Sequence, residues 1–116
     1  MVFLDKQIKV NELENIEPGV VYLPDMIKGV VDVKKELVGL NAAMHADIEK
    51  AFLENGSEQK DLYGFNILYD DYEIEYDSMI NIPRNRDLGY PRGGTTLQDV
   101  EMCEKVREVI EKWIIF

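Results

Sequence analysis

Hydrophobic and polar positions alternate along this chain with two clear periods. "IKGVVDVKKELVGLNAAM" is rich in Val and Leu with partial period-2 alternation, and predicts strands over about 27–33 and 36–44 joined at Lys34-Lys35. In "HADIEKAFLENGS", Ile48, Ala51 and Phe52 recur at helical spacing, Asp47 suits a first turn and Gly56 the position past the end, which predicts a helix over 46–55. Asn55-Gly56 is also a type I′ hairpin signal, so a strand remains the competing reading there. "LYGFNILYDDYEIEYDSMINI" alternates most strictly. Tyr63, Phe65, Ile67 and Tyr69 share one face. After Asp70-Asp71, Tyr72, Ile74, Tyr76, Ser78, Ile80 and Ile82 share a face opposite Glu73, Glu75, Asp77, Met79 and Asn81. An antiparallel hairpin with an aromatic core face and an acidic outer face follows.

Val100, Cys103, Val106, Ile110 and Trp113 form a stripe at helical spacing, with Glu101/Lys105 and Glu108/Lys112 as i,i+4 pairs. Thr95 and Thr96 are both suitable caps, so the helix is expected from 96 or 97 to about 114. Upstream, Val2–Leu4 reads as a short strand, Asn11 as the cap of a helical turn over 12–16, and "VVYL" (20–23) as extended chain closed by Pro24. The order ββαββα implies an α+β fold in which helices pack on one face of an antiparallel sheet of two hairpins. Residues 1–116 are expected to form a single domain, with an extended N-terminal segment over 1–25 and a long Arg/Gly loop over 83–95.

Composition narrows the function classes. At 46% hydrophobic and 31% charged, the chain is that of a globular protein. A lone cysteine, Cys103, excludes an intramolecular disulfide and a Cys-based zinc site. The sequence contains no 18-residue apolar run and no signal-peptide stretch in residues 1–10, so no membrane association and a cytoplasmic location are expected. The net charge of −10 makes nucleic acid an unfavourable partner. That charge is unevenly placed. Residues 1–58 hold eleven acids and six Lys but no Arg, whereas 84–96 carries three Arg against one Asp.

This basic island is the first candidate site. Arg84, Arg86 and Arg92 sit in a loop with Gly89, Gly93 and Gly94 that feeds a helix start. Guanidinium forks, close backbone approach and free helical N–H groups together suit a phosphate or carboxylate, with Ser78 and Asn81 nearby on the preceding strand. The same arginines can instead neutralise the protein's own acidic sheet face. The loop contains neither a GxxxxGK[ST] nor a GxGxxG pattern. His45, the only histidine, stands two residues before Asp47 and can act as a general acid or base, with Asp77 as a further carboxylate; equally, it can bond a backbone carbonyl. Asp70, Asp71, Glu73, Glu75 and Asp77 read as a solvated strand face, so neither a metal nor a cofactor is expected.

"MIKGVVDV", "HADIEKAFLENGSEQKDLYGFNILY" and "IEYDSMINI" resemble a small family of prokaryotic proteins known as a domain of unknown function, over roughly residues 26–112. The most specific parts are His45-Ala46-Asp47, Gly56-Ser57 with Asp61 and Gly64, and Asp77 to Asn81. The resemblance implies a shared fold and polar set, and no activity. Two roles stay open: a non-catalytic binding module, including a homodimer, whose arginines meet an acidic partner or small anionic ligand; and a small hydrolase or phosphate-ligand enzyme using His45 with Arg84 and Arg86. The absence of any specific catalytic motif favours the first.

Overall fold

The computed structural model describes residues 1–77 and 100–116. Its centre is β3 (Met26–Asp32), introduced by the short strands β1 (Val2–Phe3) and β2 (Ile8–Lys9) and a 3-10 turn over Val10–Asn15. There follow β4 (Leu37–Leu40), α1 (His45–Glu54), a 3-10 turn at Gln59–Asp61, β5 (Leu62–Leu68) and β6 (Ile74–Asp77). The last described elements are α2 (Val100–Trp113) and β7 (Ile114–Ile115). The main sheet is antiparallel in the order β1-β4-β3-β5-β6, and β2 pairs with β7 in parallel, Ile8 opposite Ile114.

The α+β class, the two hairpins and the antiparallel sheet are as the sequence implies. The helices, however, do not share a face. Val30 and Leu62 pack with Ile48 and Phe52 of α1, whereas Val31, Val38 and Phe65 pack with Val106, Val109 and Ile110 of α2. Adjacent strand residues point to opposite faces, so Val30 and Val31 each need a cover of their own. The near-continuous apolar run of β3 is the mark of a strand buried on both sides.

Glycines make both seats possible. Gly29 lies directly opposite Phe65, and a Cβ there would fall 2.2 Å from the ring's Cζ, so the ring occupies the space above the glycine. On the other face Gly39, Val30, Gly64 and Asp77 form one row across β4, β3, β5 and β6. A Cβ on Gly39 would meet Ile48 and Phe52 at 2.8 and 3.2 Å, and one on Gly64 would meet the His45 ring at 3.3 Å. α1 therefore sits on two positions without side chains.

The turns hold the hairpins in register. Asp32, only 1% exposed, accepts the backbone N–H groups of Lys34 and Lys35, each at 2.9 Å, on Oδ1. Its Oδ2 accepts the Ser57 hydroxyl at 2.6 Å, which ties the β3–β4 turn to the chain leaving α1. The second strand stops at Leu40 rather than 44, because Asn41 takes φ 70° and donates its N–H to Lys28 O. Helix 46–55 is confirmed to within a residue, and Asn55-Gly56 is its C-terminal end, with Gly56 at φ 92°.

α2 differs from its predicted stripe in detail. Val109 joins Val106 and Ile110 in the core, Cys103 is half-buried against it, and Val100 is 70% exposed. Lys112 pairs with Glu36 at 3.3 Å rather than with Glu108, and Trp113 Nε1 donates to Glu36 O at 2.8 Å, pinning the helix to the β3–β4 turn. The expected start at 96 or 97 lies outside the described residues.

Gly29→Ala should cost at least about 2 kcal/mol in urea unfolding, because the new methyl must displace Phe65. Combining it with Phe65→Leu should recover part of that loss, a coupling that a double-mutant cycle measures directly.

Candidate functional site

His45 is the first residue of α1, placed by the extended Met44 at its N-cap. That position swings the ring down onto the sheet over Gly64, where the residue is 6% exposed. Nε2 lies 2.8 Å from Phe65 O. A carbonyl only accepts, so Nε2 carries the proton and Nδ1 is the unprotonated nitrogen of the neutral ring. Nδ1 faces Asp77 Oδ2 at 3.5 Å. Asp77 reaches this place because it is directly opposite Gly64, at the end of β6.

A polar row lies one pair of residues along the same face. Lys28, Asn66 and Glu75 are register partners on β3, β5 and β6. Lys28 Nζ donates to Asn66 Oδ1 at 3.5 Å, and Asn66 Nδ2 donates to Glu75 Oε1 at 3.4 Å. Burial holds the His45 imidazole below its ordinary pKa, and the Lys28 charge adds to this. The carbonyl of Phe65, the Asp77 carboxylate and the Asn66 side chain pull the other way. Desolvation is the largest of these influences. The His45–Asp77 contact is therefore that of a neutral ring beside a carboxylate and not a formed ion pair, despite its short separation.

Of the residues singled out from sequence, the structure brings together His45 and Asp77. Asp47 is exposed in the first turn of α1, where its charge complements the helix N-terminus. Residues two apart on a helix do not face each other, so the apparent His45–Asp47 pair is a feature of the sequence alone. Ser78, Asn81, Arg84, Arg86 and Arg92 lie outside the described residues. Sequence reasoning missed Lys28, Asn66 and Gly64. Asn66 had a readable signal, being polar between buried Phe65 and Ile67, as had Gly64, a glycine inside a strict alternation. Among the described residues no group of three or more His, Cys, Asp or Glu can hold a metal ion, and no helix is long and apolar enough to cross a membrane.

A histidine whose folded pKa lies below its unfolded value binds fewer protons folded than unfolded in that window. Stability from His45 is then fully present above about pH 6.5 and lost as pH falls below it. Wild type should lose more unfolding free energy between pH 7.5 and 5.5 than His45→Gln does, the carboxylates being common to both. Parallel slopes from denaturant titrations at about these pH values would refute the neutral-ring assignment.

No curated protein and no solved structure matches the chain. The family model described as protein of unknown function (DUF5674) matches residues 2–113, nearly the full length, and the chain belongs to that family.

Proposed function

We propose that the protein is a non-catalytic binding module that takes an anionic group, from a small ligand or an acidic partner, at the arginine-bearing segment with Arg84, Arg86 and Arg92, assisted by Ser78 and Asn81. The observation that carries this reading is the commitment of its only histidine. His45 is buried, Nε2 is spent on Phe65 O, and Nδ1 is turned to Asp77. An acid–base catalyst must present a ring nitrogen to substrate, and neither nitrogen is presented. The remaining polar chemistry in the sequence is cationic and concentrated: three Arg against one Asp within 84–96, in a chain of net charge −10. Guanidinium groups so spaced match phosphate or carboxylate in two-point contact.

The second reading, a small hydrolase or phosphate-ligand enzyme using His45 with Arg84 and Arg86, draws on the His45–Asp77 contact. A carboxylate beside a histidine is an arrangement that orients a general base. It requires Phe65 O to release Nε2, at the cost of a buried hydrogen bond.

Thermal unfolding with phosphate, sulfate and nucleotides at matched ionic strength tests the first reading. A bound anion at about ten times its Kd should raise the wild-type Tm by on the order of 5 °C and leave Arg84→Ala/Arg86→Ala unmoved. The unliganded variant should melt within about 2 °C of wild type, since arginines rarely hold a core. A large loss of Tm in the free variant would recast these arginines as structural, and equal shifts in both proteins would place the anion elsewhere.

A further inference from the structure

A second surface, away from His45, has the features of a peptide groove. Two adjoining cavities of about 320 and 480 Å³ share Pro24 and Tyr69 as common walls. The upper wall is the segment Val20–Pro24, which crosses the protein after the first 3-10 turn without joining a sheet. Val21 is 76% exposed, Tyr22 46% and Val20 39%, an unusual run of apolar side chains left in water. Among the described residues, the backbone groups of Val21, Tyr22 and Leu23 make no hydrogen bond to other backbone. Backbone N–H and C=O groups that no strand of the described residues uses are open to pairing with a further strand.

The rim is of one sign. Glu14, Glu17, Asp25 and Asp70 line the two cavities, and among the described residues no Lys, Arg or His does. Glu17 is already engaged, by the Met1 amino group and by Asn41 Nδ2 at 2.9 Å. Glu14, Asp25 and Asp70 form no ion pair among the described residues. Glu14 also stands close enough to Tyr69 to add to the effect of burial in holding its phenol above the ordinary range. Apolar walls, backbone outside any sheet and carboxylates that form no ion pair among the described residues define the complement: an extended segment with apolar side chains alternating with Lys or Arg.

We infer that the Val20–Pro24 groove docks a basic, partly apolar peptide segment of a protein partner, by strand addition along Val21–Leu23 with its cations on Glu14 and Asp70. This surface lies at the Leu68 end of β5, whereas His45 sits over Gly64. It draws on no residue of the arginine-bearing segment.

The probe is a short capped peptide alternating lysine with valine and tyrosine, titrated into the full ¹⁵N-labelled chain, with a glutamate-for-lysine peptide as control. Amide shifts should concentrate in residues 14–25 and 68–70, and the control should give none. Glu14→Lys/Asp70→Lys should weaken binding by about tenfold or more with little change in Tm, because both side chains are exposed. Val21→Asp is the decisive variant. It adds negative charge, so generic attraction to an acidic protein would hold or grow, whereas docking in the groove would be lost. Binding that survives Val21→Asp overturns the assignment, as does the absence of binding by the basic peptide. A wild-type dimer that Val21→Asp makes monomeric would assign the groove to a second copy of this chain and overturn the peptide reading.

Discussion

β3 is covered on both faces, and the rest of the fold follows from how the sheet admits two covers. A helix rests on a sheet at a distance set by the side chains between them, and a central strand with bulk on both sides would hold both helices off. Here the bulk is removed at chosen points. Gly29 yields its space to the Phe65 ring on the α2 side, and Gly39 and Gly64 yield theirs to Ile48, Phe52 and His45 on the α1 side. Glycine in a strand is unfavourable by itself, through backbone entropy and lost packing. Each of these three is offset by a side chain from elsewhere that fills the vacated volume. That dependence makes the two cores, otherwise separated by the sheet, parts of one packing arrangement.

The same constraint explains the chemistry of the α1 face. With Gly64 bare, a ring fits at the start of α1, and its polar atoms must then be satisfied within the sheet. Phe65 O meets one nitrogen and Asp77 faces the other. Lys28, Asn66 and Glu75 extend this polar strip toward the edge. Asp32 plays the corresponding part at the opposite end of β3, taking three donors from the turn and from Ser57. The Asp32 carboxylate and the His45 imidazole are tolerated because each is hydrogen-bonded, and what they supply is register and the seating of α1.

Much of this was legible in the sequence, and the misses have physical reasons. β6 was readable because apolar and acidic residues alternate along it, the case in which period-2 patterns are strongest, whereas the second face of β5 is not polar but covered by α1, with Leu62 packed against Ile48 and Phe52. α2 was readable from its 3.6-residue stripe, although Val109 took the place assigned to Val100 once the helix was packed. The opposite placement of the helices was encoded too, in Val30-Val31 and the absence of alternation in β3. Propensity alone does not tell such a run from a half-buried strand. For the site, residue type pointed to His45 and Asp77, and sequence proximity pointed wrongly to Asp47. His45's partners are strand residues brought near by register, and register is a property of the fold. For residues 78–99 the sequence contributes charge and glycine content.

The carboxylates of this acidic chain fall into two groups by what surrounds them. Asp32 and Glu17 have internal partners, and an external ligand would have to compete with hydrogen bonds already made. Glu14, Asp25 and Asp70 stand around a groove and form no ion pair among the described residues, so an arriving ammonium or guanidinium meets negative charge there. Exposed pairs are weak singly, and electrostatic complementarity governs orientation and encounter more than affinity. Affinity at such a groove has to come from apolar contact and backbone hydrogen bonds, which Val21, Tyr22 and the backbone of residues 21–23 are placed to supply. Carboxylates on that rim then act as a filter on which extended segments enter, and this is a use of surface charge that a net total of −10 does not reveal.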